Sequence, residues 1–279
     1  MTTTLRPAGA EQRGADGGRS RRFTVCVNSR PVGVIQLATD ERFGPEAGRI
    51  VSLDIDEKDR RRGRGTVAAL AAEEVLRGWG CRWVETRVPA DAAIALRLAS
   101  ALGYVERNRG MIKSLPDTPP ELPGDAEVRP MGEADYDVWH ERGRARYIDS
   151  WVQRGVPYEQ AAAKADADHR RLLGDGPHTA DAVLRILAHG GQDVGWLWLG
   201  LRDRTQPDTP AWVFDVEVAP SRRGQGHGRT LMLLAERECL ARGIRTLGLN
   251  VFAGNTAALR LYESLGYRAT ELCLAKPLL

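Results

Sequence analysis

In the C-terminal half of the chain, apolar and polar positions change period several times, and each change marks an element. Residues 182–189 read as a strand, Gly190-Gly191-Gln192-Asp193 supplies turn chemistry, and residues 194–201 read as a second strand. Strand side chains alternate, so Trp196 and Trp198 share one face. A polar loop with Pro207 and Pro210 leads to a strand over 212–218. There Phe214, Val216 and Val218 are expected on one side, and Val213, Asp215 and Glu217 on the other. Three glycines then open a helix reaching about Arg242, with Leu231, Leu234, Ala235 and Cys239 as its inward stripe. A strand over 246–251, a helix over 256–265 and one or two closing strands over 267–276 complete the half. Upstream, helices are predicted over 133–153 and over 158–173, the latter following Pro157. The order is mixed α/β.

A repeat is visible across the two halves. The strand Ile50 to Ile55 with Arg61-Arg62-Gly63-Arg64-Gly65 resembles Val213 to Val218 with Arg222-Arg223-Gly224-Gln225-Gly226. Both copies then reach Leu-Gly-Tyr, at Leu102-Gly103-Tyr104 and Leu265-Gly266-Tyr267. Aligned on Arg62 and Arg223, the spacing to that tripeptide is 40 residues in one copy and 42 in the other. The chain therefore reads as a tandem duplication joined by the Pro-rich stretch 116–125. We expect a disordered leader over 1–21, a short first domain over 22–115 and a second over 126–279.

Composition narrows the function classes. The formal charge of +3 gives no case for nucleic acid, and the run Arg60-Arg61-Arg62 is offset by Asp54, Asp56, Glu57 and Asp59. No apolar run approaches the roughly 20 residues of a membrane helix, and the first twenty residues hold no secretory h-region. Cys26, Cys81, Cys239 and Cys273 are far apart, with no metal-finger spacing beside them. A cytoplasmic protein with reduced, buried cysteines and no metal is the expectation.

The turn Arg223-Gly224-Gln225-Gly226-His227-Gly228 carries the chemistry. A glycine-rich passage from strand to helix exposes backbone N–H groups where the helix dipole favours an anion, so it suits a pyrophosphate. Alternatively it is only a connector. A Walker loop needs Lys followed by Ser or Thr where this turn continues Arg229-Thr230. A dinucleotide fold places its turn after the first strand of a unit. Neither pattern fits.

Arg223-x-x-Gly226-x-Gly228 after a Val-x-Val strand resembles the acetyl-CoA motif of the GCN5-related N-acetyltransferases. Asn255-x-x-Ala258-x-x-x-Tyr262-x-x-x-Gly266-Tyr267 is similar to that family's second signature. The tandem arrangement resembles that of mycothiol synthases and other two-domain members. The resemblance implies two such α/β domains, with acetyl-CoA as acyl donor and a small-molecule or peptide amine as acceptor. It implies pyrophosphate contacts from the amides of Arg223, Gly224, Gln225, Gly226, His227, Gly228 and Arg229. The backbone of Val216 and Val218 would lie beside the pantetheine arm, and Asn255 would bond it. Tyr262 would be the general acid. Each role has a structural counterpart: Val216 and Val218 as core strand residues, Asn255 as a helix cap, Tyr262 as apolar packing. Glu217, with Asp215 beside it, is the candidate general base or a solvated strand residue. In the first copy, counting from the shared tripeptide, Ala99 and Ala92 replace Tyr262 and Asn255, and Val67 stands where Gly228 does. We therefore expect a truncated, degenerate first domain and an active second one. A non-catalytic acyl-CoA-binding or regulatory module is the alternative.

Overall fold

The computed structural model describes residues 3–14, 17–40, 44–153, 156–201 and 211–278. The loop with Pro207 and Pro210 lies outside them. The chain forms two compact units, one of residues 1–109, 252–254 and 269–279, the other of residues 110–251 and 255–268.

The first unit carries β1 (Thr3–Pro7), β2 (Gln12–Arg13), β3 (Arg19–Val27), β4 (Arg30–Asp40), β5 (Gly44–Ile55), α1 (Arg64–Gly78), β6 (Trp83–Pro89) and α2 (Ala93–Ala101). β7 (Val105–Ser114) starts in this unit by residue number and finishes in the second. The second unit adds β8 (Glu127–Pro130), α3 (Glu133–Val152), α4 (Tyr158–Leu172), β9 (Ala182–His189), β10 (Gln192–Gly200), β11 (Ala211–Val218), α5 (His227–Leu240), β12 (Thr246–Phe252) and α6 (Thr256–Ser264). A single closing strand follows, β13 (Arg268–Pro277).

In the first unit the strands run in the order β1-β3-β4-β5-β6-β13, with β2 on β3. Phe23, Val25, Ile35 and Leu37 of this sheet pack on Ala68, Ala72 and Leu76 of α1. The expected leader is thus partly sheet: β1 pairs antiparallel with β3, from Thr3 opposite Val27 to Pro7 opposite Phe23. Its side chains are mostly exposed, so the ladder of backbone bonds orders it without an apolar pattern to announce it.

The second unit's strand order is β7-β12-β11-β10-β9-β8. One face of β9, β10 and β11 packs on α5 and α6 through Leu197, Leu199, Val213, Leu231, Leu234 and Leu265. The other face holds Trp196, Trp198 and Phe214, with Trp139 of α3. A β-bulge causes this division. The β10–β11 register shifts between Trp198 and Leu199, so that Asp215 opposes Trp198 and Val213 opposes Leu199. The extra residue, Phe214, reverses the alternation. Val213 consequently joins Val216 and Val218 on the α5 face and Phe214 leaves it, opposite to the assignment from simple alternation.

Each unit is completed by a strand from the other copy of the repeat. β13 follows the second copy, yet it pairs antiparallel with β6, from Glu271 opposite Pro89 to Pro277 opposite Trp83. There Lys276 Nζ meets Glu73 at 2.8 Å and sits over the Tyr104 ring. Lys113 of β7 does the matching thing in the second unit, 2.7 Å from Glu236 and over the ring of Tyr267. Glu73 and Glu236 are almost wholly buried, at 2% and 1% side-chain exposure. A buried carboxylate needs such a partner, so each lysine neutralises a charge that its own copy of the repeat does not.

Candidate active site

The site residues lie on β11, the turn after it, α5 and α6, all within the second unit. The β10–β11 ladder aims the strand's backbone. Ala219 N donates to Val194 O at 2.9 Å. In an antiparallel pair the hydrogen-bonded residues alternate, so the N–H and C=O groups of Val216 and Val218 point away from β10, toward β12. That side is open. Among the described residues β12 pairs with β11 only at Ala211, Trp212 and Val213, and the two parallel strands then part. Gly195 permits the close β10–β11 approach, since a Cβ there would lie 2.7 Å from Glu217 O. The Val218 carbonyl accepts from Arg223 Nε at 3.2 Å, leaving the amides of Val216 and Val218 facing the gap.

The turn presents further donors. Gly224 and Gly226 have φ of 77° and 89°, the left-handed region that glycine enters without strain. Gly226 caps α5 without a side chain, and among the described residues no acceptor takes the amides of Gly224, Gln225, Gly226, His227 or Gly228. A Cβ at Gly228 would sit 3.3 Å from Leu261 Cδ2, so α6 packs closely there. Arg229 reaches Ser264 Oγ at 2.6 Å. His227 is buried, its ring 5.2 Å from that of His189, and burial lowers its pKa. Backbone N–H groups without acceptors at a helix N-terminus are the kind of group that an anion would satisfy, and the gap beside Val216 and Val218 offers amides to an extended arm. The sequence-assigned cofactor residues are thus brought together on one continuous edge. Asn255 is exposed; its Oδ1 accepts from Ala258 N at 3.2 Å, so its capping role is present and its amide nitrogen remains a donor.

Tyr262 packs beside Leu265 in the α5-face cluster, 9% exposed, with burial pushing its pKa up to about 12 and the charge of Asp215 adding to the rise. The phenol is protonated at neutral pH. Asp215 faces α3 on the sheet's other side, where Arg146 approaches it at 3.4 Å. Its side chain is closely surrounded yet keeps 29% of its surface. Burial raises its pKa, Arg146 opposes the rise and Glu217 adds to it. The Trp139 indole N–H lies toward the same carboxylate without completing a bond of standard geometry. Glu217 is clamped by Arg142 at 3.1 Å and Arg146 at 2.8 Å. Sequence reasoning missed these two arginines. Their signal was faint: basic residues four apart on one helix, matched to acidic residues two apart on a distant strand.

The first unit repeats the turn in a different register from the one its arginine run suggests. Gly63, with φ of 71°, caps α1 as Gly226 caps α5. Arg60 Nε donates to Ile55 O at 2.8 Å, as Arg223 does to Val218 O. A Cβ at Gly65 would meet Leu98, as one at Gly228 would meet Leu261. Arg60-x-x-Gly63-x-Gly65 is therefore the counterpart of Arg223-x-x-Gly226-x-Gly228, and Val67 replaces no glycine. From Arg60 to Leu102 and from Arg223 to Leu265 the spacing is 42 residues in each unit. Arg61 takes the place of Gly224, at φ of 57°. Ala92 and Ala99 still replace Asn255 and Tyr262, and among the described residues no α-helix precedes α1 in that unit.

The acetyltransferase (GNAT) family profile matches residues 5–104 and 141–267, and the chain belongs to that family, as a tandem member with acetyltransferase chemistry. A mycothiol acetyltransferase of Thermomonospora curvata is 29% identical over 254 residues, covering 90% of this chain and 80% of that protein. The uncharacterized N-acetyltransferase YycN of Bacillus subtilis is 33% identical over 85 residues, which is 30% of this chain and 54% of YycN. Among solved structures, a GCN5-related N-acetyltransferase from Sphaerobacter thermophilus has a TM-score of 0.57 at 19% identity, covering 92% of this chain and 80% of that one. A tandem GNAT protein from the clavulanic acid biosynthesis pathway gives 0.52 at 17%, covering 95% and 85%. These two likenesses concern the fold. Among the described residues no helix is long and apolar enough to cross a membrane.

Proposed function

We propose that the second unit transfers an acetyl group from acetyl-CoA to a primary amine of a small molecule, by direct attack within a ternary complex. The observation that carries this reading is the run of backbone donors without acceptors among the described residues, from Val216 and Val218 through Gly224 to Gly228, on a strand whose Val216 and Val218 side chains share a cluster with Tyr262. The amides of the turn would hold the pyrophosphate, with Arg223 and Arg229 flanking it. Val216 and Val218 would align the pantetheine, joined by Asn255. Acetyl-CoA supplies an activated thioester. An N–H at Val218 favours the charge that develops on its carbonyl oxygen. Tyr262, protonated at neutral pH, donates to the departing sulfur, and the Asp215–Glu217 pair supplies the base.

Calorimetric titration with acetyl-CoA tests the assignment, with Gly226→Asp as the companion variant. The expected result is binding that the variant reduces strongly, because a side chain at φ of 89° is strained and a carboxylate repels phosphate. Absence of binding overturns the reading. Binding with no thiol release in the presence of any amine favours the alternative, an acyl-CoA-binding module.

A further inference from the structure

We infer that Asp215, not Glu217, receives the acceptor's ammonium and takes its proton, while Glu217 serves to hold Arg142 and Arg146 over β11. This assignment rests on the acetyl-transfer reading above and divides a role that the sequence leaves shared between two carboxylates.

The two differ in what occupies their oxygens. Glu217 Oε2 meets Arg142 Nη2 at 3.1 Å, Oε1 meets Arg146 Nη1 at 2.8 Å, and only 11% of the side chain is exposed. With a guanidinium on each oxygen its charge is neutralised and its lone pairs are engaged, which makes it a poor proton acceptor. Asp215 meets one cation, Arg146 at Oδ2, at 3.4 Å, and nearly three times as much of its side chain remains accessible. The acid required at the leaving group stands within its electrostatic reach, since the charge of Asp215 contributes to the shift of Tyr262. Tyr262 comes from the α5 face and Asp215 from the α3 face, so they bracket the place where β11 and β12 part. Trp139, 3% exposed, keeps an indole N–H without an acceptor beside the carboxylate, a donor that steadies its anionic form. Burial also lifts the Asp215 carboxyl toward the range in which a base works best near neutrality. The ionisable groups facing Asp215 are Arg142 and Arg146 from α3, Glu217 on its own strand and Tyr262 from α6.

In the step itself, the ammonium passes one proton to the Asp215 carboxylate and becomes a neutral amine. Its lone pair forms the C–N bond at the thioester carbonyl. As the C–S bond breaks, the thiolate takes the Tyr262 proton and the nitrogen's surplus proton restores the phenol. Asp215 then releases its proton to solvent. The products are amide, thiol and one proton, which balances an ammonium and a thioester.

The test measures thiol release from acetyl-CoA by the full chain, from about pH 5.5 to about 9.5, with water alone and with phenethylamine, an aromatic primary ammonium matched to the indole rings beside Asp215. Asp215→Asn is expected to lower the rate about 100-fold or more and to remove the acidic limb of the pH profile. Glu217→Gln is expected to keep that limb with a loss within about tenfold. Acetyl-CoA affinity, measured by calorimetry, should stay near wild type in both, which reports an intact fold. An acidic limb lost in Glu217→Gln and kept in Asp215→Asn overturns the inference. So does thiol release that does not differ between wild type and Asp215→Asn. Failure of the wild type to bind acetyl-CoA would instead remove the acetyl-transfer reading on which the inference stands.

Discussion

The two units make the same turn and differ in what surrounds it. Both direct an arginine onto the carbonyl at the end of the strand, both cap the following helix with a left-handed glycine, and both bring the next helix close through a second glycine. Backbone geometry has therefore been kept in each. What separates them is side-chain chemistry and cover. The first unit has Ala99 where the second has Tyr262, and its described residues hold no counterpart of α3 or α4 to set arginines and an indole over the strand. The comparison teaches that the shape of such a turn needs little beyond glycine and a helix end. Side-chain chemistry beside it, by contrast, rests on a few residues that a single substitution removes.

The largest expected effect separates the units by chemistry. Tyr262→Phe should lower acetyl transfer by about 10²- to 10⁴-fold while acetyl-CoA still binds, measured as thiol release and by calorimetry. Placing Ala99→Tyr on that background should restore nothing, because the first unit lacks the rest of the site. Any recovery would break the comparison.

Next come the lysines that complete each unit from the other copy. Lys113→Met should leave Glu236 buried and unpaired, at a cost of about 3 kcal/mol in urea unfolding, and Lys276→Met should do the same to Glu73. Equal losses support equivalent roles, and an unequal pair would show that only one exchange bears weight. The glycine caps offer a finer distinction. Gly63→Asp and Gly226→Asp each force a side chain to positive φ, costing about 1–2 kcal/mol of stability. Only Gly226→Asp should also abolish acetyl transfer.

The smallest effects are in pH dependence, and they should be confined to the second unit, since all five histidines lie there. His169 is held down to about 4, chiefly by burial and next by its neighbour His140. A depressed histidine leaves the native state fully favoured above its ordinary pKa of about 6.5 and erodes it as pH falls toward 4. Hydrogen exchange should accordingly speed up in α4 before α1 over that interval, and His169→Phe should remove the difference. Asp215 works in the opposite direction, because its folded pKa is raised. Asp215→Asn should stabilise the second unit at neutral pH, with the gain vanishing below about pH 4, where the carboxyl is protonated in both states.

Much of the second unit could be read from the chain. Leu231, Leu234, Ala235 and Cys239 form a buried stripe on α5 as expected, and the strands on either side fall within a residue or two of their predicted bounds. What stayed hidden had no local signal. β1 is ordered by backbone bonds, so its side chains carry little pattern. The bulge at Phe214 adds one residue to an alternation that otherwise continues, and hydrophobicity cannot say where the addition falls. Three consecutive arginines before Gly63 allow two registers, and the bond from Arg60 to Ile55, the Gly63 cap and the Gly65–Leu98 approach choose between them. Arg142 and Arg146 reach their partners across some 70 residues of sequence, a pairing that composition does not encode.

The exchanged strands have a consequence in time. During synthesis residues 1–109 leave the ribosome first, and β6 can pair with β5, but its other edge gains a partner only when β13 emerges, after the whole second copy has been made. Pairing that waits on so distant a segment is slow to form and leaves a strand edge exposed meanwhile. The unit translated first is therefore the last to be finished. Its unpaired edge is where a nascent-chain chaperone would be expected to bind.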